Sequence, residues 1–250
     1  MDDQLTFDTG IDFDTGIDFD TGIDFDTGIG IDNAPPDAAP AANLGGSAHG
    51  HWEDVYRDRG PAQVSWFQPE PQPSLDLIRA HDAQGRGSVI DVGGGASPLA
   101  ARLIETGFDD VTVLDVSEHA LQQARAAAEH QPGADKIHWV HADLLAWRPD
   151  RTWRLWHDRA VFHFLTNPED RAAYLAALHR ALEPGGVVVL GTFAPDGPTH
   201  CSGLPVARYD ADQLAAELGA DFTPLLSHTD RHHTPAGAEQ PFTWIAARRA

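Results

Sequence analysis

Apolar positions divide the chain into short continuous runs and longer stretches with helical spacing. The short runs predict buried β-strands at residues 89–92, 111–115, 136–141, 152–157 and 187–193. Between them, apolar side chains recur at three- and four-residue intervals and predict helices at residues 98–104, 118–129, 168–182 and 212–218. Two further apolar runs, at 222–228 and 241–248, predict the last strands. This alternation of strands and helices predicts an α/β fold.

A glycine-rich turn follows the first predicted strand. The run 89–92 ends at Gly93-Gly94-Gly95, and Pro98 lies in the first turn of the helix that follows. Glycines here let backbone N–H groups at a helix N-terminus face a ligand without an intervening side chain. The second strand ends in Asp115, at the spacing from the turn that an acidic residue needs to bind ribose hydroxyls. The two features together predict a nucleotide-type pocket.

Four segments, in the same order along the chain, resemble motifs of the class I S-adenosylmethionine-dependent methyltransferases. Val-Ile-Asp91-Val-Gly93-Gly94-Gly95-Ala-Ser97 resembles the first motif, D/E-x-G-x-G-x-G, with serine where the last glycine usually stands. Val-Leu-Asp115-Val116-Ser resembles the second motif, and His141-Ala-Asp143-Leu144 the motif after the third strand. Leu182-Glu-Pro-Gly-Gly-Val resembles the turn that leads into the fifth strand.

The resemblance implies a doubly wound, seven-stranded, mostly parallel sheet whose last strand is antiparallel, and an enzyme that uses S-adenosylmethionine. It places Asp91 and the glycine turn near the methionine part of the cofactor, Asp115 on its ribose and Asp143 on its adenine. The full set of predicted cofactor-binding residues is Asp91, Gly93, Gly94, Gly95, Asp115, Val116, Asp143, Leu144 and Asp158.

The segment before the first strand is rich in aromatic residues. A predicted short helix, His51-Trp-Glu-Asp-Val-Tyr56, precedes Val64-Ser-Trp-Phe-Gln68. The W-E-x-x-Y and V-S-W-F-Q patterns resemble the N-terminal segment of some small class I methyltransferases, where a comparable segment folds over the cofactor. Under this hypothesis Trp52, Tyr56 and Trp66 bind substrate; the alternative is that they cover one edge of the sheet.

The end of the fourth strand supplies the candidates for catalysis, because that position faces the methyl group in the implied fold. They are His157, Arg159 and His163, and a histidine can accept a proton near neutral pH. The alternatives are that His163 is a packed core residue and that Asp158 and Arg159 form a structural ion pair. A long loop, 193–209, ends in Arg208 and Tyr209, which are candidates to bind a polar or anionic acceptor.

Composition narrows the classes of function. The 250-residue chain has a net charge of −21, with eleven aspartates and no lysine or arginine among residues 1–46. Such a balance argues against a nonspecific nucleic-acid-binding protein, which needs a basic surface. The single cysteine permits no internal disulfide. The chain also has no apolar run of membrane-spanning length, and its N-terminus is acidic. Together these features predict a cytoplasmic protein without membrane contacts. No metal is expected, because the spacing of His200, Cys201, His232 and His233 fits no zinc framework.

Four copies of a hexapeptide, Phe-Asp-Thr-Gly-Ile followed by Asp or Gly, occupy residues 7–30 and precede a Pro-, Ala- and Gly-rich linker at 33–46. Their composition predicts a disordered acidic tail at 1–46 and a methyltransferase domain at 47–250. The alternatives for the tail are a docking tag or a substrate fused to its own enzyme.

Three hypotheses for function therefore stand. The first is methyl transfer to a small molecule held under an aromatic lid formed by the N-terminal segment. The second is a protein methyltransferase, acting on lysine or on the fused repeats, since an acidic surface favours a basic protein. The third is a cofactor-binding scaffold without catalysis.

Overall fold

The computed structural model describes residues 44–82 and 87–250. The hexapeptide repeats, and the predicted linker as far as residue 43, lie outside the described residues. The six helices of the described chain are α1 Leu44–Asp58, α2 Ser74–His81, α3 Leu99–Glu105, α4 Glu118–Ala128, α5 Pro168–Ala181 and α6 Ala211–Leu218. Its strands are β1 Val89–Val92, β2 Val111–Asp115, β3 Ile137–His141, β4 Trp153–Arg159, β5 Leu182–Phe193, β6 His200–Cys201, β7 Leu204–Pro205, β8 Phe222–His233 and β9 Glu239–Arg249.

Seven strands form one sheet in the order β3-β2-β1-β4-β5-β9-β8. The first five are parallel, and β9 runs antiparallel to both of its neighbours, β5 and β8. Strands β1 and β2 are buried along their whole length, as expected of parallel strands that helices cover on both faces. This order and direction confirm the predicted doubly wound sheet of the class I methyltransferase fold.

The two faces of the sheet carry separate apolar cores because side chains alternate along each strand. One core joins Val89 and Leu155 to helices α2 and α3. The other joins Ile90 and Trp156 to α5 and α6, and includes the fully buried Tyr174. Successive residues at a strand end therefore face different helices, which decides which polar side chains reach the site described below.

Several elements differ from their sequence-based predictions. Helix α1 begins at Leu44, within the segment that its composition predicts as linker. Strand β4 continues two polar residues beyond its predicted end at residue 157, to Arg159. Strand β5 begins at Leu182, five residues before its predicted start, and β8 extends to His233, five residues past its predicted end. The loop predicted at 193–209 contains a small antiparallel pair, β6 with β7. Within the described ranges, none of the helices has the length and apolar character required to cross a membrane.

Candidate active site

A cavity of about 1000 Å³ opens at the carboxyl ends of the parallel strands. Its walls include Gly93 after β1, Asp115 and Val116 at the end of β2, and Asp143 and Leu144 after β3. Carboxyl ends of parallel strands are where open α/β sheets bind ligands. A smaller space of about 540 Å³, lined by Asp91 and Gly94, adjoins the cavity and shares Gly93 with it.

The glycine turn needs glycine at two positions. Gly93 and Gly95 have positive φ angles of 64° and 53°, a region that side chains rarely adopt. A Cβ atom on Gly93 would overlap Val161, and one on Gly95 would overlap the hydroxyl of Tyr56. The turn is therefore packed from both sides, and Gly95 lies beneath Tyr56 instead of lining a cavity.

Asp115 is fixed at the end of β2 by backbone donors. The N–H groups of Gly95 and Ser117 each donate to one of its carboxylate oxygens at 2.8 Å. Burial raises the pKa of Asp115 to about 6, although these hydrogen bonds oppose the shift. Each oxygen retains a lone pair for a further donor, so the carboxylate can accept from two hydroxyl groups of a ligand.

Asp143 and Leu144 form the neighbouring wall after β3. One carboxylate oxygen of Asp143 accepts from the backbone N–H of Leu145 at 3.0 Å, which fixes the turn. Among residues 44–82 and 87–250, its other carboxylate oxygen accepts no hydrogen bond. Beside it the carbonyl of Val116 accepts from His141 Nε2 at 3.1 Å. The predicted nucleoside-binding residues therefore come together on one side of the cavity.

Asp91 and His157 form a buried pair beside the smaller space. They lie opposite each other on β1 and β4, and His157 Nδ1 is 2.7 Å from Asp91 Oδ1. The ring of Trp244 stacks on His157, with a centroid distance of 6.2 Å. His157 lines the smaller space and not the larger cavity. Its contacts therefore indicate that it orients the Asp91 carboxylate.

Asp158 does not reach the cofactor side of β4, so its predicted role is corrected. Its carboxylate accepts from the backbone N–H groups of Val161 and Phe162 and from the hydroxyl of Tyr174, at 2.8, 3.1 and 2.8 Å. The side chain is fully buried on the face covered by α5, and burial raises its pKa to about 6. The physical reason is alternation: His157 and Arg159 take one face of the strand and Asp158 the other.

His163, the predicted general base, lies in the core. Its ring is fully buried between Phe164 and Phe193, at centroid distances of 4.5 and 4.6 Å. The backbone N–H of Phe193 donates to its Nδ1 at 3.4 Å. Burial, with a smaller contribution from the Arg159 charge, lowers the pKa of His163 to about 3. It lines neither space, so its position corresponds to the packed-residue alternative.

Arg208 and Tyr209 also lie away from both spaces. The exposed Arg208 donates from Nη1 to the carbonyls of Pro195 and Gly197 at 2.8 and 3.2 Å and so holds the loop after β5. Tyr209 is buried against Phe162, at a centroid distance of 5.6 Å. These contacts correct both substrate-binding predictions, because each side chain is already used to fix the local chain.

Trp52, Tyr56 and Trp66 also line the cavity. Trp52 makes edge contacts with Trp66 and Phe164 at centroid distances of 5.7 and 5.1 Å. Trp66 Nε1 donates to the hydroxyl of Tyr56 at 3.2 Å. The carbonyl of Tyr56 accepts from Gln123 at 2.9 Å, which ties α1 to α4. The aromatic segment is thus part of the site and not only an edge cover.

Several cavity residues escape the sequence analysis. They come from segments distant in the chain and are Phe164, Phe193, Cys201, Gln240 and Phe242. Phe193 stands at the carboxyl end of β5, so its position at a strand end is a usable signal. Phe242 and Cys201 carry no such signal. Burial raises the pKa of the Cys201 thiol to about 11, which keeps it protonated at neutral pH.

His49, Glu53 and His141 lie close enough together to hold a metal ion. However, His49 Nδ1 and His141 Nε2 lie 2.8 and 3.1 Å from the carbonyl of Val116, and Glu53 accepts from the backbone N–H of Glu118. The protein itself accounts for these orientations, and the group stands outside the cavity walls.

Comparisons with known proteins agree with this geometry. Residues 89–186 match a family described as a methyltransferase domain. Thiocyanate methyltransferase 1 of Brassica oleracea is 30% identical over 142 residues, which are 56% of this chain and 60% of that relative. EEF1A lysine methyltransferase 2 of Mus musculus is 25% identical over 198 residues, covering 72% of this chain and 77% of the relative. The chain thus spans 60% of the length of the thiocyanate enzyme.

A solved structure with the same fold is that of Burkholderia thailandensis 1,6-didemethyltoxoflavin-N1-methyltransferase with bound 1,6-didemethyltoxoflavin and S-adenosylhomocysteine. It superposes with a TM-score of 0.59 at 22% identity and covers 82% of this chain and 84% of that one. The family match confirms the enzyme class that the four motifs predict, for the segment it covers. It begins at residue 89, after the aromatic segment, whose resemblance to a particular subgroup stays a prediction.

Proposed function

We propose that this chain, a class I S-adenosylmethionine-dependent methyltransferase, transfers the methyl group of that cofactor to a small-molecule acceptor. The observation that carries the proposal is one cavity with two kinds of wall. Asp115 and Asp143 line it at the ends of β2 and β3, and the rings of Trp52, Trp66 and Phe242 also line it. A nucleoside and an acceptor would therefore occupy adjoining parts of the same space.

The residues present fit the cofactor. The Asp115 carboxylate has free lone pairs for two ribose hydroxyls, and Asp143 can accept from an adenine amino group. The glycine turn leaves no side chain between the backbone and a ligand at Gly93. When bound, S-adenosylmethionine supplies an activated methyl group on a sulfonium.

The protein's own task is then orientation and exclusion of water. Asp115 and Asp143 would fix the nucleoside end, and the aromatic walls would hold the acceptor in line with the methyl group. The edge contacts that Trp52 makes with Trp66 and Phe164 support a lid formed by the aromatic segment. A buried, neutral His163 provides no base here, so an acceptor that is already deprotonated, or that loses its proton to water, suits this site.

A small acceptor is supported over a protein by the aromatic lining of the cavity. The rings come from four separate segments, at Trp52 of helix α1, Trp66, Phe164 and Phe242. The names of the thiocyanate and toxoflavin enzymes refer to small acceptors, whereas that of the lysine methyltransferase refers to a protein. Because the lysine methyltransferase covers 72% of this chain, against 56% for the thiocyanate enzyme, a protein acceptor is the outcome to test against.

The test is methyl transfer from labelled cofactor by the purified full chain. A cell extract is separated by ultrafiltration into small-molecule and protein fractions, and each is offered with methyl-labelled S-adenosylmethionine. We expect the label to move from the cofactor to another compound of the small-molecule fraction. No such labelled product should form when the enzyme carries Asp115→Ala. Label confined to the protein fraction, or to residues 7–30 by mass spectrometry of the enzyme, would contradict a small acceptor. Label nowhere, with the cofactor bound, would favour the scaffold hypothesis.

A further inference from the structure

Arg159 places a guanidinium group inside the acceptor half of the cavity. It is the last residue of β4 and lines both the larger cavity and the adjoining smaller space. Its Nη1 donates to the carbonyl of Trp66 at 2.8 Å, and the group lies 5.1 Å from the centroid of the Phe242 ring. These two contacts hold the guanidinium against the aromatic walls.

The charge of Arg159 has no counter-charge in contact with it. Among the ion pairs within 4.0 Å in the described part of the chain, none includes this residue. Asp91, the acid on the same sheet face, is paired with His157. Asp230 acts on the guanidinium only from beyond pairing distance. The guanidinium of the half-buried Arg159 therefore lies beside aromatic rings without a carboxylate in contact to offset its partial loss of water.

One donor atom of the group is also unused. Nη2 of Arg159 is buried and has no hydrogen-bond acceptor among residues 44–82 and 87–250. Burial lowers the pKa of Arg159 to about 10, so the group stays charged at neutral pH. Buried polar atoms are nearly always paired, and an orphaned one at a cavity wall points to a ligand atom as its partner.

We infer that Arg159 is the binding site for a negatively charged group of the acceptor, so that the acceptor is a small anion. This inference rests on the proposed function and names the substrate class of the same site. An apolar surrounding strengthens the attraction between an anion and the guanidinium, because water does not screen it. The planar fork of arginine suits a carboxylate or a compact inorganic anion better than a neutral group.

A carboxylate could also come from the cofactor, since its methionine part would lie near the glycine turn and Arg159 reaches the smaller space there. The shared chemistry is an anion on the guanidinium, and the two sources predict different binding changes. If the carboxylate of the cofactor binds Arg159, replacing Arg159 should weaken the affinity for S-adenosylhomocysteine. It would leave untouched the affinity for 5′-methylthioadenosine, which lacks the amino-acid part.

The experiment uses the full chain saturated with S-adenosylhomocysteine and titrates it with thiocyanate, benzoate and benzamide by calorimetry. The variants are Arg159→Met, Arg159→Lys and, as a matched control, Arg154→Met, whose exposed arginine lies on the same strand. We expect the anions to bind the wild type and to lose about ten- to hundredfold in affinity with Arg159→Met. Arg159→Lys should recover part of that loss, and Arg154→Met should match the wild type. The neutral benzamide should bind the wild type and Arg159→Met alike, which shows that the cavity has kept its shape.

Other outcomes overturn the inference. It is wrong if neither anion binds the saturated wild type, or if both bind Arg159→Met as tightly as the wild type. It is also wrong if Arg159→Met weakens S-adenosylhomocysteine but not 5′-methylthioadenosine, which would assign the guanidinium to the cofactor. If the wild type fails to bind S-adenosylhomocysteine at all, the proposed function fails with it, and that result is distinct from the other three.

Discussion

Replacing Asp115 with alanine gives the most quantitative prediction about the nucleoside half of the cavity. In the folded protein, each carboxylate oxygen accepts one backbone N–H at 2.8 Å, from Gly95 and from Ser117. Two ribose hydroxyls would add two hydrogen bonds to a charged acceptor, each contributing about 1.5–3 kcal/mol. Their sum, about 3–6 kcal/mol, is an upper bound, so we expect a loss of affinity of about a hundredfold, which corresponds to the lower end of that range.

The same substitution also affects folding, and the two effects must be separated. Alanine leaves the N–H groups of Gly95 and Ser117 without an acceptor, at a cost of about 1–3 kcal/mol each. It also removes a carboxylate whose charged form is disfavoured by burial, which offsets part of that cost. Thermal unfolding therefore has to be measured first, and binding compared at a temperature where the variant is folded. Asp115→Asn keeps the shape and one acceptor oxygen, so its affinity should fall between those of alanine and the wild type.

The assay is calorimetric titration with S-adenosylhomocysteine. Asp212→Ala serves as the control, because that aspartate is exposed in the first turn of α6, away from the cavity. A folded Asp115→Ala protein that binds within twofold of the wild type would refute the reasoning. So would an equal loss in the Asp212→Ala control, which would show that the effect comes from charge at a distance.

Three further predictions concern the glycine turn, the core histidine and pH. Gly93→Ala should abolish cofactor binding and lower the melting temperature, because the added Cβ would overlap Val161. The control is Gly203→Ala, at a position with a positive φ of 81° and open space around it, which should leave cofactor binding intact. His163→Gln should destabilise the fold by about 1–3 kcal/mol in chemical denaturation, as expected when a buried polar group loses its packing, with unchanged affinity for S-adenosylhomocysteine. The affinity itself should fall as the pH drops below about 6, since protonation removes an acceptor from Asp115, and this dependence should be absent in Asp115→Asn. The contribution of Asp115 to stability has the opposite sign: with the folded pKa raised to about 6, it is greatest below the ordinary value near 3.8 and is lost as the pH rises to about 6.

Most of the sheet could be predicted because its central strands are buried on both faces and therefore read as continuous apolar runs. The end of β4 was underestimated for the opposite reason. Asp158 and Arg159 are polar, so the predicted strand stops at His157 while the hydrogen-bonded strand continues. Helix α1 starts earlier than its composition indicates. Gly45 and Gly46 are poor helix formers and so predict no helix there, but tertiary contacts can override such a preference.

The nucleoside half of the site follows from the sequence because each of its residues stands at a strand end close to its own motif. His163 lies in the turn after β4, where it packs between Phe164 and Phe193 in the core. The failure at Asp158 has a different cause. In a sheet covered on both faces, a residue at a strand end points to one face or the other, and both faces are buried. Apolar pattern alone does not distinguish them, whereas the partners of Asp158 on α5 do.

The acceptor half could not be predicted because it is assembled from distant segments. Trp66, Arg159 and Phe242 meet across separations of more than 80 residues in the chain. A single sequence offers no local signal for such contacts. The fold alone brings the guanidinium to the aromatic walls, and on that position rests our inference that Arg159, a catalytic candidate from the sequence, binds the acceptor.

The central claim is that one cavity holds the cofactor between Asp115 and Asp143 and presents it to the aromatic walls. The most direct measurement is a crystal structure of the full chain with S-adenosylhomocysteine. We predict that the ribose hydroxyls lie within hydrogen-bond distance of the Asp115 carboxylate, that the adenine lies beside Asp143 and Leu144, and that the sulfur faces the aromatic side. A ligand bound elsewhere, or no ligand at saturating concentration, would contradict the account.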